Sequence, residues 1–507
     1  MCIRDRNWYL CANKQFITGI NTKEEAYSHY LTNGKNNGLS PNVFHAIKFK
    51  TKSDKLRDGM IEHGYERLFS YAIEDLGYTQ YFIQDKSFLE TLNIKPLPIV
   101  FPQFHQIPEN DKFWGEKFTE WTLLNKISHD YTQQKIAKPH QSLGYYNILN
   151  ESYINFTENI LKDFSIPFLC YYHYWFKGQK VMYKPIELIR DKSKPNINYC
   201  LFWANETWSS RWDGLEQNIL LKQEYGSKND WIEHIKYLIT FFKDKKYIKI
   251  NSKPLFFIYR PTDIPIKIFN EMILEFDCQV KTNGFPGIHL IISYNNLGNF
   301  DIYDSYTSNK LVYGVLDFNP NYINSLKFPL YQEIDDCIIF QKNINNQIIF
   351  DEKIYLDYNP DVKTALEKKQ IPSAKLHYEN LSEQEKKTRI YKSNLANIIK
   401  CYEFIENEPK KHSCQLTSTF MSWNNSPRRD INKSGVKPTI FLNTNPYLFK
   451  KHLKNLIFKT IKDPNPDINY ILINAWNEWN EQTCLEPSDI YGYQYIKAVK
   501  EVFSEYY

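Results

Sequence analysis

The 507-residue chain contains no run approaching the ~18–20 consecutive apolar residues of a membrane-spanning helix. No apolar segment of the signal-peptide type opens it either. Its nine cysteines, at positions 2, 11, 170, 200, 278, 337, 401, 414 and 484, are odd in number and never spaced Cys-x-x-Cys. That spacing excludes a zinc ribbon or a dithiol redox motif and suggests no disulfide framework, so a reducing, cytoplasmic setting is expected. Positive charge is not concentrated: 63 basic residues face 58 acidic ones, a net of +5, without an Arg/Lys-rich arm. Nucleic acid is therefore not an expected partner. A Rossmann glycine fingerprint is missing, and Asp301-Ile-Tyr-Asp304 does not make the Asp-x-Asp pair of a metal-dependent nucleotide-sugar site. No metal and no cofactor are expected.

Aromatic residues are plentiful instead, with 38 Tyr, 33 Phe and 11 Trp making 16% of the chain. Such rings line sugar-binding clefts and also fill cores, so their number alone decides nothing. The length suits one large domain with appendages. The stretch that organises the rest is Ile471-Leu-Ile-Asn-Ala-Trp-Asn-Glu-Trp-Asn-Glu481. It begins as a short apolar run, the pattern of a strand buried on both faces. It then delivers Trp476, Asn477, Glu478, Trp479 and Glu481 at the strand's end. Two carboxylates three residues apart among indoles are costly to place without a purpose. Taken alone, they serve equally well as a helix start that uses the positive dipole end.

Residues 1–6, Met-Cys-Ile-Arg-Asp-Arg, resemble a translated sequencing-adapter scar and are set aside. Residues 7–95 read as a small helical N-terminal module and a linker. Its phrase around Tyr9, Leu10 and His29 returns around Tyr355, Leu356, Asn359-Pro360-Asp361-Val362 and His377. This is the mark of a degenerate internal repeat, suited to protein docking or spacing. From 96 to 507, short apolar runs alternate with helical patterns, which predicts an α/β fold with a parallel sheet. The expected strands are Ile99–Phe104, Pro167–Tyr174, Ile197–Trp203, Pro254–Tyr259, Ile288–Tyr294, Ile302–Tyr306, Ser418–Trp423 and Tyr470–Ala475. Eight strands close a (β/α)8 TIM barrel. The interval of about 320–412 exceeds an ordinary loop and holds the second repeat copy, so it is expected to be an insertion in the barrel.

Such barrels build their active sites at the C-terminal ends of the strands. Those ends carry Gln103 and His105, His173 and Trp175, Asn205 and Glu206, Tyr259, Trp423 and Asn424, and the residues from Trp476 to Glu481. The loop after the first strand adds Glu120 and Trp121, and Ser422-Trp-Asn-Asn-Ser-Pro-Arg-Arg429 is a further polar end. Plain structural readings stand beside these: a packed loop over the mouth, a satisfied core histidine, an Arg211–Asp213 ion pair. Tyr172 and Tyr174 point opposite to His173, so only one set faces the barrel interior. Chemistry at a sugar's anomeric centre needs an acid for the leaving oxygen and a second carboxylate. If the turn after strand eight is helical, Glu478 and Glu481 bring their Cβ atoms to ~5–6 Å. Their closeness then pushes their pKa values apart and keeps one protonated near neutrality.

Phe101-Pro-Gln-Phe-His105, Phe118-Thr-Glu-Trp121, Tyr171-Tyr-His-Tyr-Trp-Phe176, Trp203-Ala-Asn-Glu206, Lys253-Pro-Leu-Phe256, Asn474–Glu481 and Leu485-Glu486-Pro487 follow in that order. Together they resemble the WbsX-like proteins, whose domain is similar to glycoside hydrolase family 99, from about Leu97 to Phe503. The resemblance implies a (β/α)8 barrel acting on lipopolysaccharide or capsule glycans, at the periphery of the polysaccharide-assembly machinery. It implies a retaining reaction like that of endo-α-mannosidases. Glu478 would assist the sugar's own 2-hydroxyl as internal nucleophile, through a 1,2-anhydro intermediate, with Glu481 as acid/base. The remaining strand-end residues would contact the glycan. A glycosyltransferase and a non-catalytic glycan-binding protein are the alternatives. Two positions depart from the family: Gln482 stands where Gly is usual, and Asn424 where the strand-seven motif usually has Asp.

Overall fold

The computed structural model describes residues 92–504 apart from 131–133, 193–194, 211–214, 296–299, 325–340, 345–346, 351, 353–354, 357–358, 383–384, 386–394 and 430–437. The expected N-terminal repeat copy and the expected Arg211–Asp213 ion pair lie outside the described residues.

Short β-branched and aromatic runs, buried on both faces, form eight parallel strands. They are β1 (Lys95–Val100), β2 (Phe168–Phe176), β3 (Asn198–Trp203), β4 (Lys253–Ile258), β5 (His289–Tyr294), β6 (Val312–Asp317), β7 (Gln415–Phe420) and β8 (Tyr470–Asn474). Each pairs with the next, and β1 also pairs with β8, with Lys95 opposite Tyr470 and Pro98 opposite Ile473. The sheet is thus closed, a (β/α)8 barrel with no edge among its eight strands.

A helix follows every strand: α1 (Glu151–Asp163), α2 (Lys184–Asp191), α3 (Lys228–Phe242), α4 (Ile266–Thr282), α5 (Phe300–Thr307), α6 (Ile398–Asn407), α7 (Pro446–Lys462) and α8 (Gln494–Ser504). Local chemistry starts them. Ser227 and Asp230 form a capping box on α3, and Asn445 caps α7 by accepting from the Leu448 amide at 2.9 Å, with Pro446 in the first turn. On α3 the buried residues Trp231, His234, Ile235, Leu238 and Phe242 recur at helical spacing and cover the barrel wall. No helix among the described residues is long and apolar enough to cross a membrane.

The sixth strand is not Ile302–Tyr306. That segment lies in α5, where Tyr303 and Tyr306, one helical turn apart, are buried while Ile302 is 45% exposed. The true β6 is Val312–Asp317, and its pairing with β5 shifts register between Val312 and Gly314. A Cβ on Gly314 would stand 2.7 Å from the Cys414 carbonyl oxygen, so a close backbone approach requires glycine there.

Between β6 and β7 lie a two-stranded hairpin, Gln341–Ile344 with Gln347–Phe350, and the short helices Pro360–Glu367 and Ala374–Glu379. Tyr355, Val362, Ala374 and Ile440 form a small core of their own. Tyr355 and His377, the aromatic and the histidine of the repeat phrase, meet through the hydroxyl and Nδ1 at 2.9 Å. By contrast, α6 buries Cys401, Tyr402 and Ile405 in the main core.

Candidate active site

Beyond β8 the backbone folds back on itself, with Asn477 and Glu478 pairing antiparallel to Cys484 and Thr483. The link is a single 3-10 turn, Trp479–Glu481, so Glu478 and Glu481 fall on one side of it. Asn477 sews this turn to the end of β1: its Oδ1 accepts from the Phe101 amide at 2.8 Å, and its Nδ2 donates to the Phe101 carbonyl at 3.0 Å. Gln482 takes the left-handed conformation that ends the turn, with φ 55°. Its side chain makes up for the missing glycine. Oε1 accepts from the Ala137 amide at 2.7 Å, and Nε2 donates to the Trp479 carbonyl at 2.7 Å.

Both glutamates meet one cation. Arg428, on the turn after β7, donates from Nη1 to Glu481 Oε1 at 2.6 Å and from Nη2 to Glu478 Oε2 at 2.7 Å. Nη2 also reaches Glu120 Oε2 at 3.2 Å. The Glu478 side chain is 7% exposed and that of Glu481 18%. Burial raises the Glu478 carboxyl well above the ordinary range; Arg428 opposes this, and the charges of Glu481 and Glu120 reinforce it. Burial likewise raises Glu481, with Arg428 opposing and Glu120 and Glu206 reinforcing. The second oxygen of each glutamate receives no hydrogen bond from a described residue.

The structure gathers some of the expected residues around this pair and sends others elsewhere. Glu120 lies directly beneath Arg428, fully buried. Asn424 joins the group through its amide, which donates to the Glu481 carbonyl at 2.8 Å, and Trp423 is buried beside it. Tyr259, buried, and Glu206, half-exposed and paired with Arg260 at 3.1 Å, both act electrostatically with Glu481. Tyr172 and Tyr174 are the inward set on β2, since both phenols are raised by burial and next by neighbours that include Glu478.

His173 and Trp175 accordingly point outward. His173 Nε2 lies 2.9 Å from Nε2 of His234 on α3, and the Trp175 ring stacks on His234 at 4.8 Å. Burial pushes His173 down to about 3, so it is a neutral packing residue. His105 is also buried and is pushed down to about 4 by that burial, with Nδ1 3.0 Å from the Pro102 carbonyl. Gln103 receives the Glu120 amide on its carbonyl at 3.2 Å, while its Nε2 is buried without a partner among the described residues. Asn205 ties Arg260 in place, accepting from its amide at 2.7 Å and donating to its carbonyl at 2.8 Å.

The indoles do not present open faces. Trp121, Trp476 and Trp479 are buried, with their N–H groups committed to the Tyr146 carbonyl (2.7 Å), the Tyr153 hydroxyl (3.3 Å) and Glu486 (2.8 Å). Glu486 explains this arrangement. A fully buried carboxyl, pushed up to about 7 by that burial, it collects donors from Tyr146 at 2.8 Å and Tyr153 at 2.7 Å as well as from Trp479.

Arg428, Glu486 and Asp130 are the site residues that sequence reasoning passed over. The first two stand inside motifs already singled out, Ser422–Arg429 and Leu485–Pro487. Asp130 had no such signal. It accepts from Asn424 Nδ2 at 2.6 Å and so sets a carboxylate against the strand-seven asparagine.

A closed (β/α)8 barrel with an arginine-bridged pair of glutamates after its last strand defines the class. The family described as glycosyltransferase WbsX matches residues 96–499, and the chain belongs to that family. An uncharacterised protein, WxcX, from Xanthomonas campestris pv. campestris is 23% identical over 417 residues, covering 82% of this chain and 50% of the relative. The chain therefore spans about half the length of the curated relatives it matches. Among solved structures, the GH99 endo-alpha-mannosidase from Bacteroides thetaiotaomicron is similar over 81% of this chain and 97% of its own, at 11% identity and a TM-score of 0.42. A glycoside hydrolase-like protein is similar over 74% and 92%, at 12% identity and a TM-score of 0.40.

Proposed function

We propose that the protein is a carbohydrate-active enzyme of surface-polysaccharide metabolism, a retaining glycoside hydrolase with Glu478 as base and Glu481 as acid/base. One observation carries this reading: a buried and a half-buried glutamate share a 3-10 turn at the end of β8, each with one oxygen on Arg428 and the other without a bond from a described residue. Carboxyls this close titrate as a pair, and burial raises the affinity of both for protons, so the pair holds a proton to higher pH than free carboxyls do. Burial weighs most on Glu478. A bound sugar reverses that order. Its 2-hydroxyl donates to Glu478 and favours the carboxylate there, while the leaving oxygen accepts the proton from Glu481. The 2-oxygen passes its proton to Glu478 and bonds to the anomeric carbon as the leaving group departs. Water then attacks that carbon and gives a proton to Glu481 while the 1,2-anhydro ring opens and the 2-oxygen recovers its proton from Glu478, which returns the starting anomer.

The experiment is incubation with α-mannan and a panel of capsule oligosaccharides, following the reducing end by proton NMR. The expected result is cleavage with the α-anomer appearing first, and its loss in Glu478→Gln and Glu481→Gln. The description of the family favours a second reading, glycosyl transfer. Heat on titration with a nucleotide-diphosphate sugar, together with no cleavage over the panel, would establish that reading in place of hydrolysis.

A further inference from the structure

The proposed reaction leaves Arg428 without a part, although it touches both glutamates. We propose that Arg428 is the positioning residue of the pair, a single guanidinium that sets the spacing of Glu478 and Glu481 and turns one oxygen of each toward the sugar. This rests on the reading of those two residues as the reacting carboxyls.

A guanidinium is a planar fork whose nitrogens keep fixed separation and direction, whereas glutamate side chains rotate freely. Because Nη1 holds Glu481 and Nη2 holds Glu478, the distance between the carboxyls is dictated by the fork. The fork is itself held. Its Cζ lies 5.4 Å from the centre of the Phe101 ring, and Nη2 rests on Glu120 at 3.2 Å. Glu120 begins the helix Glu120–Leu124, and its carboxylate and carbonyl both accept from Asn480 Nδ2. Pro427 stiffens the turn that carries the arginine. Glu120 thus acts as the base of the clamp, with Glu478 and Glu481 in its jaws.

The same geometry sets the charge balance. One cation faces Glu120, Glu478 and Glu481 at hydrogen-bond distance, and Glu206 and Arg429 act on Glu481 from further out. The other titratable groups facing the cluster are the phenols of Tyr172, Tyr174 and Tyr259 and the Cys484 thiol, all raised by burial and neutral at ordinary pH. Without Arg428 the three acids would face one another with the more distant Arg429 in opposition, and the pair would hold protons to higher pH.

The test is carbon NMR titration of the glutamate side-chain carboxyls in the full chain, assigned with Glu478→Gln and Glu481→Gln, for wild type, Arg428→Gln and Arg428→Lys. Arg428→Gln is expected to raise both titration midpoints by about one pH unit or more. Arg428→Lys keeps the charge but not the fork. It is expected to displace both carboxyl resonances while changing the midpoints less, and to lower kcat about 100-fold with KM little changed. Unchanged midpoints in Arg428→Gln overturn the proposal. Should that variant not fold, wild-type carboxyl resonances in Arg428→Lys overturn it equally. The NMR readings need no substrate, so a failure of the hydrolase reading shows separately, as wild type that cleaves no glycan.

Discussion

A carboxyl buried in a barrel wall is tolerated only when donors or cations reach it, and Asp317 at the end of β6 shows the consequence for stability. Its Oδ1 accepts from the Ser418 amide at 2.7 Å, yet burial pushes it up to about 7, with Lys459 opposing. In the unfolded chain an aspartate ionises near ~4. Between those values the folded protein keeps a proton that the unfolded chain has lost. The group's stabilising contribution is therefore full below about pH 4 and is lost as pH rises through about 7. Asp317→Asn keeps the acceptor and removes the titration. Relative to wild type it should gain up to about 4 kcal/mol between pH 4 and pH 8. Urea unfolding at both pH values checks this, and an unaltered pH slope in the variant would sink it. Glu486 adds to the same slope in both proteins and cancels in the comparison. At this scale the arrangement of side chains was legible where it obeyed spacing. Glu478 and Glu481 could be read because three residues make one turn. The roles of the tryptophans could not, because a buried indole and an exposed one look alike in sequence until the acceptor, here Glu486, is placed.

Among the elements, the turn after β8 shows how one substitution is absorbed locally. A non-glycine residue in the left-handed region costs roughly 1 kcal/mol, and Gln482 offsets this with its side-chain bonds to Ala137 and Trp479. Gln482→Ala keeps the backbone cost and loses the bonds. Gln482→Gly loses the bonds but relieves the backbone. Calorimetry should therefore place wild type highest, Gln482→Gly next and Gln482→Ala lowest, with the last about 1–2 kcal/mol below wild type. Melting of Gln482→Ala at or above Gln482→Gly would refute this account. The elements also show why one strand was misread. Seven strands announced themselves as apolar runs, although β1 begins at Lys95, four residues before its expected start. In β6 the run Val-Tyr-Gly-Val-Leu-Asp is broken by Gly314, the residue its crowded approach to Cys414 requires. The neighbouring α5 carries the tyrosines that imitate a strand. Packing, invisible in one sequence, decided between them.

For the molecule as a whole, closure of the sheet is what turns eight separate strand ends into one site. β1 and β8 are far apart in sequence, and their pairing puts Phe101, whose ring Arg428 covers, beside Asn477. The segment between β6 and β7 stands outside that logic. Its core of Tyr355, Val362 and Ala374, joined by Ile440 from beyond β7, is separate from the main one, which Phe441, one residue on from Ile440, enters. A small core with few buried apolar groups opens at lower free energy than a closed barrel. Tyr355→Ala removes its one fully buried ring and the hydroxyl's contact with His377. Hydrogen exchange should then accelerate in peptides spanning 355–379, by ten-fold or more if about 2 kcal/mol is lost. Peptides covering β8 and the Trp479–Glu481 turn should exchange as in wild type. Faster exchange there as well would mean that the two cores open together, and that the turn after β8 depends on the segment between β6 and β7.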